Sequence, residues 1–167
     1  IVVLIVTFIL TVVFDLVVAI EIGLLVTVVL FMKRMADVTN IRPWEKGDDI
    51  RYKPIPKHTR VFEIDGPMFF ATSEKVSEIE VKETTKVIIL RMRNVMSLDI
   101  SALRLLSSVY SSYNDKGIKV LFSHVNSQPM AVMKKAGFYD LVGEENFVEN
   151  IDAALAMAQS ISQKTED

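Results

Sequence analysis

The sequence predicts an α/β fold: a small mixed β-sheet packed with helices, preceded by a transmembrane helical segment. Three observations carry this expectation. Residues 1–32 are almost wholly apolar, with Asp15 and Glu21 the only charged side chains among them. From His58 onward, short apolar or alternating runs of strand length take turns with stretches of helical period. Between the two lies a charged stretch, 36–56, that holds three of the five prolines and shows no apolar period.

Bulk composition reflects the same division. Half of the 167 residues are hydrophobic and 24% are charged, but the apolar residues crowd the N-terminal end and the charges follow later. A formal net charge of -2 excludes the basic excess of a nucleic-acid-binding protein. With no cysteine there is no disulfide framework, thiolate nucleophile or cysteine-based zinc site. His58 and His124 lie far apart, and neither has a second metal-type ligand at helical spacing. No cofactor and no metal are expected.

The opening segment, "IVVLIVTFILTVVFDLVVAIEIGLLVTVVLFMKRM", would be about 48 Å long as one helix at 1.5 Å per residue. A bilayer core is about 30 Å thick, so one upright span cannot use it all. The expectation is therefore the tail of one span up to Phe14, a break near Asp15, and a last span over about 16–34. Lys33 and Arg34 follow the apolar run, with Arg42, Lys46, Arg51 and Lys53 beyond. By the positive-inside rule this cluster places the rest of the chain in the cytoplasm. Charged groups are expensive in lipid, so Asp15 and Glu21 should face protein, a turn or water.

Residues 35–57 read as a juxtamembrane linker, in which Trp44 serves either as an interfacial anchor or as a contact with the next domain. The domain itself is expected over 58–163. "TRVFEIDG" alternates Phe62 and Ile64 against Glu63 and Asp65, the pattern of a half-exposed strand ended by Gly66-Pro67. "MFFAT" makes a second short strand, and Ser73 caps a helix running to about Val81 with Glu74 in its first turn. "KVIILRM" suits a central strand covered on both faces. Ile100 to Tyr113 places Leu103, Leu106, Val109, Tyr110 and Tyr113 on one helical face, and Gly117 stops it. "IKVLFS" is the next buried strand. Ser127, Gln128 and Pro129 open a short helix with Met130, Met133 and Ala136 inward, closed by Gly137. A last helix covers about Ile151 to Ser160, with Ile151, Leu155 and Ala158 on its buried face. About 110 residues suffice for an independent core.

Enzyme motifs are lacking: there is no phosphate-binding loop of P-loop or Rossmann spacing and no G-x-S-x-G elbow. His124, just past a strand end, reads as a loop hydrogen-bonder. The domain is expected to be non-enzymatic, a binding or regulatory module. Its candidate regulatory or partner-binding residues are Asp99 and Ser101 in "MSLDISALRLL". Asp99 stands where a helix N-cap belongs, and Ser101 falls in the first turn, where a phosphate would meet unpaired N–H groups.

The order strand, strand, helix, "KVIILRMRNVMSLDISALRLL", "GIKVLFSHVNSQPMAVMKKAGF" and a C-terminal helix resembles the STAS domain of bacterial anti-sigma-factor antagonists and SulP anion permeases. The N-terminal segment resembles the last membrane span of a SulP permease. The resemblance implies secondary active transport of sulfate, bicarbonate or dicarboxylate-class anions by a longer protein whose transport core is mostly outside this chain. It also implies a cell (inner) membrane location, multi-pass in the full-length protein, contact with membrane lipid, and a homodimer. Its alternative implication is a membrane-tethered signalling module with a phosphorylatable hydroxyl. The antagonists carry Asp, two hydroxyl residues and Gly in that loop; Asp99 and Ser101 match, and Ile100 and Ala102 depart. A third reading, taken from the residues themselves, is a cytoplasmic partner: an acidic carrier protein docked on basic residues such as Lys134 and Lys135.

Overall fold

The computed structural model describes residues 1–13, 16–44, 54–69 and 81–163. The chain divides into two compact units, Ile1–Asp37 and Val38–Asp167.

In the first unit, α1 spans Val2–Val13 and α2 Leu16–Val38. The break expected near Asp15 falls on Phe14 and Asp15, which lie outside the described residues. Leu16–Arg34 is long and apolar enough to cross a membrane by length and composition. Ile20, Leu24, Leu25, Val28 and Val29 are exposed along it, an arrangement that water disfavours and lipid tolerates. The two helices approach closely at small residues: a Cβ on Gly23 would stand 2.8 Å from Thr7 Oγ1, and Ala19, one turn away, is fully buried. Glu21 is on the exposed side of α2.

The second unit is built on a five-stranded sheet. Its strands are β1 (Asn40–Pro43), β2 (Thr59–Asp65), β3 (Val87–Asn94), β4 (Lys119–Ser123) and β5 (Phe147–Val148), in that spatial order. β1 runs antiparallel to β2, and all other neighbours are parallel. The helices are α3 (Ile100–Asp115), α4 (Ser127–Lys135), α5 (Phe138–Val142) and α6 (Ile151–Gln163), with a 3-10 turn at Glu144–Asn146.

Side-chain alternation sends the two faces of the sheet into separate cores. Phe62, Ile64, Ile88, Leu90, Val120 and Phe122 meet Leu103 and Leu106 of α3, Met133 of α4 and Phe138 of α5. Val61, Val87, Ile89 and Leu121 meet Ile151, Ala154, Leu155 and Ala158 of α6, together with Trp44. β3 is buried on both faces from Val87 to Met92, as its unbroken apolar run predicts.

Three expectations need correction, and one of the two readings of Trp44 holds. Residues 35–57 are more than a linker: they carry β1, whose Asn40–Pro43 pair with Asp65–Phe62. Trp44 is a domain contact, 5% exposed in the second core, with its backbone N–H donated to Val61 O. β2 is not half-exposed, because β1 covers its outer edge and Glu63 is closed in opposite Arg91; Glu63 is 2% exposed. Ala136 is an exposed C-terminal cap of α4 rather than an inward residue, and Pro129 is buried in its place. Of the short "MFFAT" strand, Met68 forms a single parallel bridge with Leu98. The helix expected from Ser73, and the basic residues Lys46, Arg51 and Lys53, lie outside the described residues.

Candidate functional site

The carboxyl ends of β2, β3 and β4 gather the residues singled out from the sequence. Asp99 caps α3 as expected: its backbone is extended (φ −94°, ψ 168°), and its Oδ1 accepts the Ala102 N–H at 2.7 Å. Ser101, in the first helical turn, is exposed, while Ala102 is fully buried. A methyl group therefore fills the place just after Ser101 and ties the turn to the core.

The loop ahead of Asp99 is fixed from two sides. Asp99 N–H donates to Met68 O at 3.0 Å, and Met68 N–H to Ser97 O at 2.8 Å. From the first turn of α4, Gln128 brackets Leu98, accepting its N–H at 2.9 Å and donating back to its carbonyl at 3.3 Å. Asn126 Nδ2 donates to the carbonyls of Arg93 and Val95, each at 2.8 Å. Asn126 and Gln128 were not marked as site residues in the sequence. Their spacing ahead of a short helix looks like ordinary cap chemistry, and the strands alone bring them to a loop some 30 residues away.

Beside this loop runs a groove between the first turns of α3 and the α4–α5 corner. Ile100, Leu103, Ala136, Phe138 and Leu141 line its apolar part, and Arg104 and Lys135 stand on its margins. Ile100 and Leu141 are half or more exposed. α5 is held there by Phe138, whose ring meets those of Phe122 and Tyr110 edge-on at 5.6 and 5.8 Å. Gly137, at φ 73°, makes the left-handed corner into α5. Lys134 does not join Lys135 at the groove: its ammonium lies 4.5 Å from the centre of the Tyr139 ring.

His124 takes a left-handed conformation (φ 55°), and its backbone N–H bonds Val148 O at 3.0 Å, a structural role. His58 also has positive φ (57°), and its Nδ1 lies 2.9 Å from Thr84 O at the opposite end of the strands. Among the described residues no cluster of three or more His, Cys, Asp or Glu side chains could hold a metal ion.

A second polar group lies within the sheet. Arg91 Nη1 donates to Glu63 Oε2 at 2.8 Å, and the Arg91 guanidinium carbon is 5.8 Å from the centre of the Trp44 ring. Burial pushes the Glu63 carboxyl above its ordinary range, and the neighbouring Arg91 charge only partly opposes that shift. Ser123 pairs with Arg91 in register on the next strand, fully buried.

A parallel sheet with an antiparallel edge strand, helices on both faces and a capped helix at the carboxyl ends of the strands defines a class of small α/β domain. The chain belongs to the STAS domain family, which matches residues 52–154. It is 32% identical to the STAS domain of a SulP transporter from Vibrio cholerae, with a TM-score of 0.59, covering 68% of this chain and 91% of that one. A putative sulfate transporter of Bacillus subtilis (strain 168), YvdB, is 29% identical over 149 residues, which is 87% of this chain. The chain spans 28% of that relative's length. The murine anion transporter Solute Carrier 26 family member A9, in the inward-facing state, shares the fold over 95% of this chain at a TM-score of 0.77 and 19% identity. The domain is thus the STAS domain of sulfate transporter family proteins.

Proposed function

We propose that this chain is the last membrane segment and the regulatory or assembly domain of a secondary active anion transporter of the sulfate, bicarbonate or dicarboxylate class. One observation carries the reading: an apolar helix of membrane-spanning length, α2, leads through Thr39 alone into the first strand of a STAS sheet. In this reading α2 lies in the lipid of the cell membrane among further spans, the STAS domain is cytoplasmic, and the transporter is a homodimer. The Asp99–Ser101 loop and the groove beside it form the surface on which a cytoplasmic protein partner acts. Its rigid hydrogen-bonded loop, exposed hydroxyl and exposed Ile100 and Leu141 support that role.

The test is anion uptake by the full-length transporter in liposomes, with and without residues 38–167. The expected result is radiolabelled sulfate, bicarbonate or dicarboxylate uptake that changes in rate, or a dimer that dissociates, when the domain is removed. Unchanged uptake and unchanged assembly would sink the regulatory reading. Absence of uptake for all three anions would sink the transporter reading.

The exposure of Ser101 supports a second reading, a membrane-tethered signalling module switched by phosphorylation at that hydroxyl. Incubation with candidate switch kinases, followed by mass spectrometry of the peptide carrying Ser101, separates the two.

A further inference from the structure

β1 is only four residues long and ends in Pro43, which has no N–H to give to the ladder. Main-chain pairing alone is a weak hold for an edge strand of this length. Side chains supply the rest. At its start, Thr39 Oγ1 donates to Pro67 O at 2.5 Å, and Arg42 Nε meets Asp65 Oδ2 at 3.2 Å. Just past its end, the Trp44 ring is buried against the second core, with the Arg91 guanidinium 5.8 Å from its centre. That guanidinium is fixed in turn by Glu63 at 2.8 Å on the strand that β1 pairs with.

We propose that Glu63, Arg91 and Trp44 form a latch that keeps β1 on the sheet, and that the latch sets the length of the connection between α2 and the domain. With the latch closed, Thr39 is the single residue between α2 and β1. With it open, Asn40 to Trp44 join the connection and add roughly 17 Å of reach at 3.3–3.6 Å per residue. Opening removes Trp44 from the second apolar layer and Ile41 from the margin of the first, while the buried residues of β2, β3 and β4 stay in both. The cation's position over a desolvated ring makes Arg91 the group whose loss should open the latch with the least damage elsewhere. The latch is distinct from the Asp99–Ser101 surface and stands or falls independently of it.

Hydrogen–deuterium exchange of the whole chain in detergent micelles tests the latch. In the Arg91→Met variant, exchange at Asn40–Trp44 should rise about tenfold while that at Lys119–Ser123 stays unchanged. Trp44 is the only tryptophan, so its emission should shift to the red in the same variant. Arg91→Lys keeps a cation but no planar fork and should give a smaller rise. Should Arg91→Met fail to fold, Trp44→Leu, which keeps apolar burial and removes the ring, is read in the same way. Unchanged exchange at β1, or a rise shared equally by β1 and β4, would overturn the proposal.

Discussion

Arg91 Nη1 reaches Glu63 Oε2 at 2.8 Å across adjacent strands, and neither side chain is more than 7% exposed. The two partners are not equivalent. A carboxylate left alone in the core takes up a proton, whereas a guanidinium keeps its charge. Glu63→Leu should therefore cost about 3–5 kcal/mol of unfolding free energy, the usual loss when one member of a buried pair is removed. Arg91→Met should cost clearly less. Urea denaturation of both variants checks the order, and a larger loss for Arg91→Met would contradict it.

The same pair gives a pH dependence with a definite sign. The Glu63 carboxyl is raised above its ordinary value of 4.5, chiefly by desolvation. The folded chain therefore holds this proton more tightly than the unfolded chain. Its contribution to stability grows as pH falls through the raised value toward 4.5, and is lost as pH rises through it. Relative to Glu63→Gln, the natural protein should gain unfolding free energy as pH is lowered from 7 toward 4.5. A difference between the two that is flat or of opposite slope would refute this.

Ser123 Oγ is buried with no hydrogen-bond partner among the described residues. A hydroxyl in that state carries a desolvation penalty with nothing to offset it. Ser123→Ala should raise stability by about 1 kcal/mol. Chemical denaturation that shows a loss instead would mean that the hydroxyl is used.

At the candidate site, Asp99 and Ser101 should separate cleanly. Asp99→Ala removes the cap on Ala102 N–H and should cost about 0.5–2 kcal/mol, largely restored in Asp99→Asn. Ser101→Ala, at an exposed position, should stay within about 0.5 kcal/mol of the natural protein. A stable Ser101→Ala chain then makes any change in partner binding or transport attributable to the hydroxyl itself.

Gly143 offers a test of backbone geometry. Its φ of 89° and ψ of 135° suit glycine alone, and an added Cβ would meet Glu145 Oε1 at 2.7 Å. Gly117, at φ 71°, has nothing within 4 Å of the same added atom. Gly143→Ala should lower the melting temperature more than Gly117→Ala, as scanning calorimetry would show.

These predictions also mark how far the sequence reads. β3, β4, α3 and α6 are legible because each buries a continuous or periodic apolar set that local pattern alone displays. β1 is not, since four residues ending in a proline become a strand only when Asp65 to Phe62 lie beside them. Glu63 misleads for the same reason. Alternation of polar with apolar residues normally marks a wet face, and here Arg91 on a strand 28 residues later makes that face dry. The Asp99 cap shows in the sequence as an acidic residue just before an amphipathic run. The amides of Asn126 and Gln128 that hold its loop do not, because their partners are fixed by strand register rather than by neighbours in the chain.

Both margins of the sheet are blunt: β1 has four residues and ends in proline, and β5 has two. Neither presents the long, flat row of open N–H and C=O groups on which another chain can grow. Brought together at high concentration, copies of this domain should resist fibre-like stacking of their sheets. Any association between them must then be made by helix and loop surfaces, where side chains rather than main chain decide which partner fits.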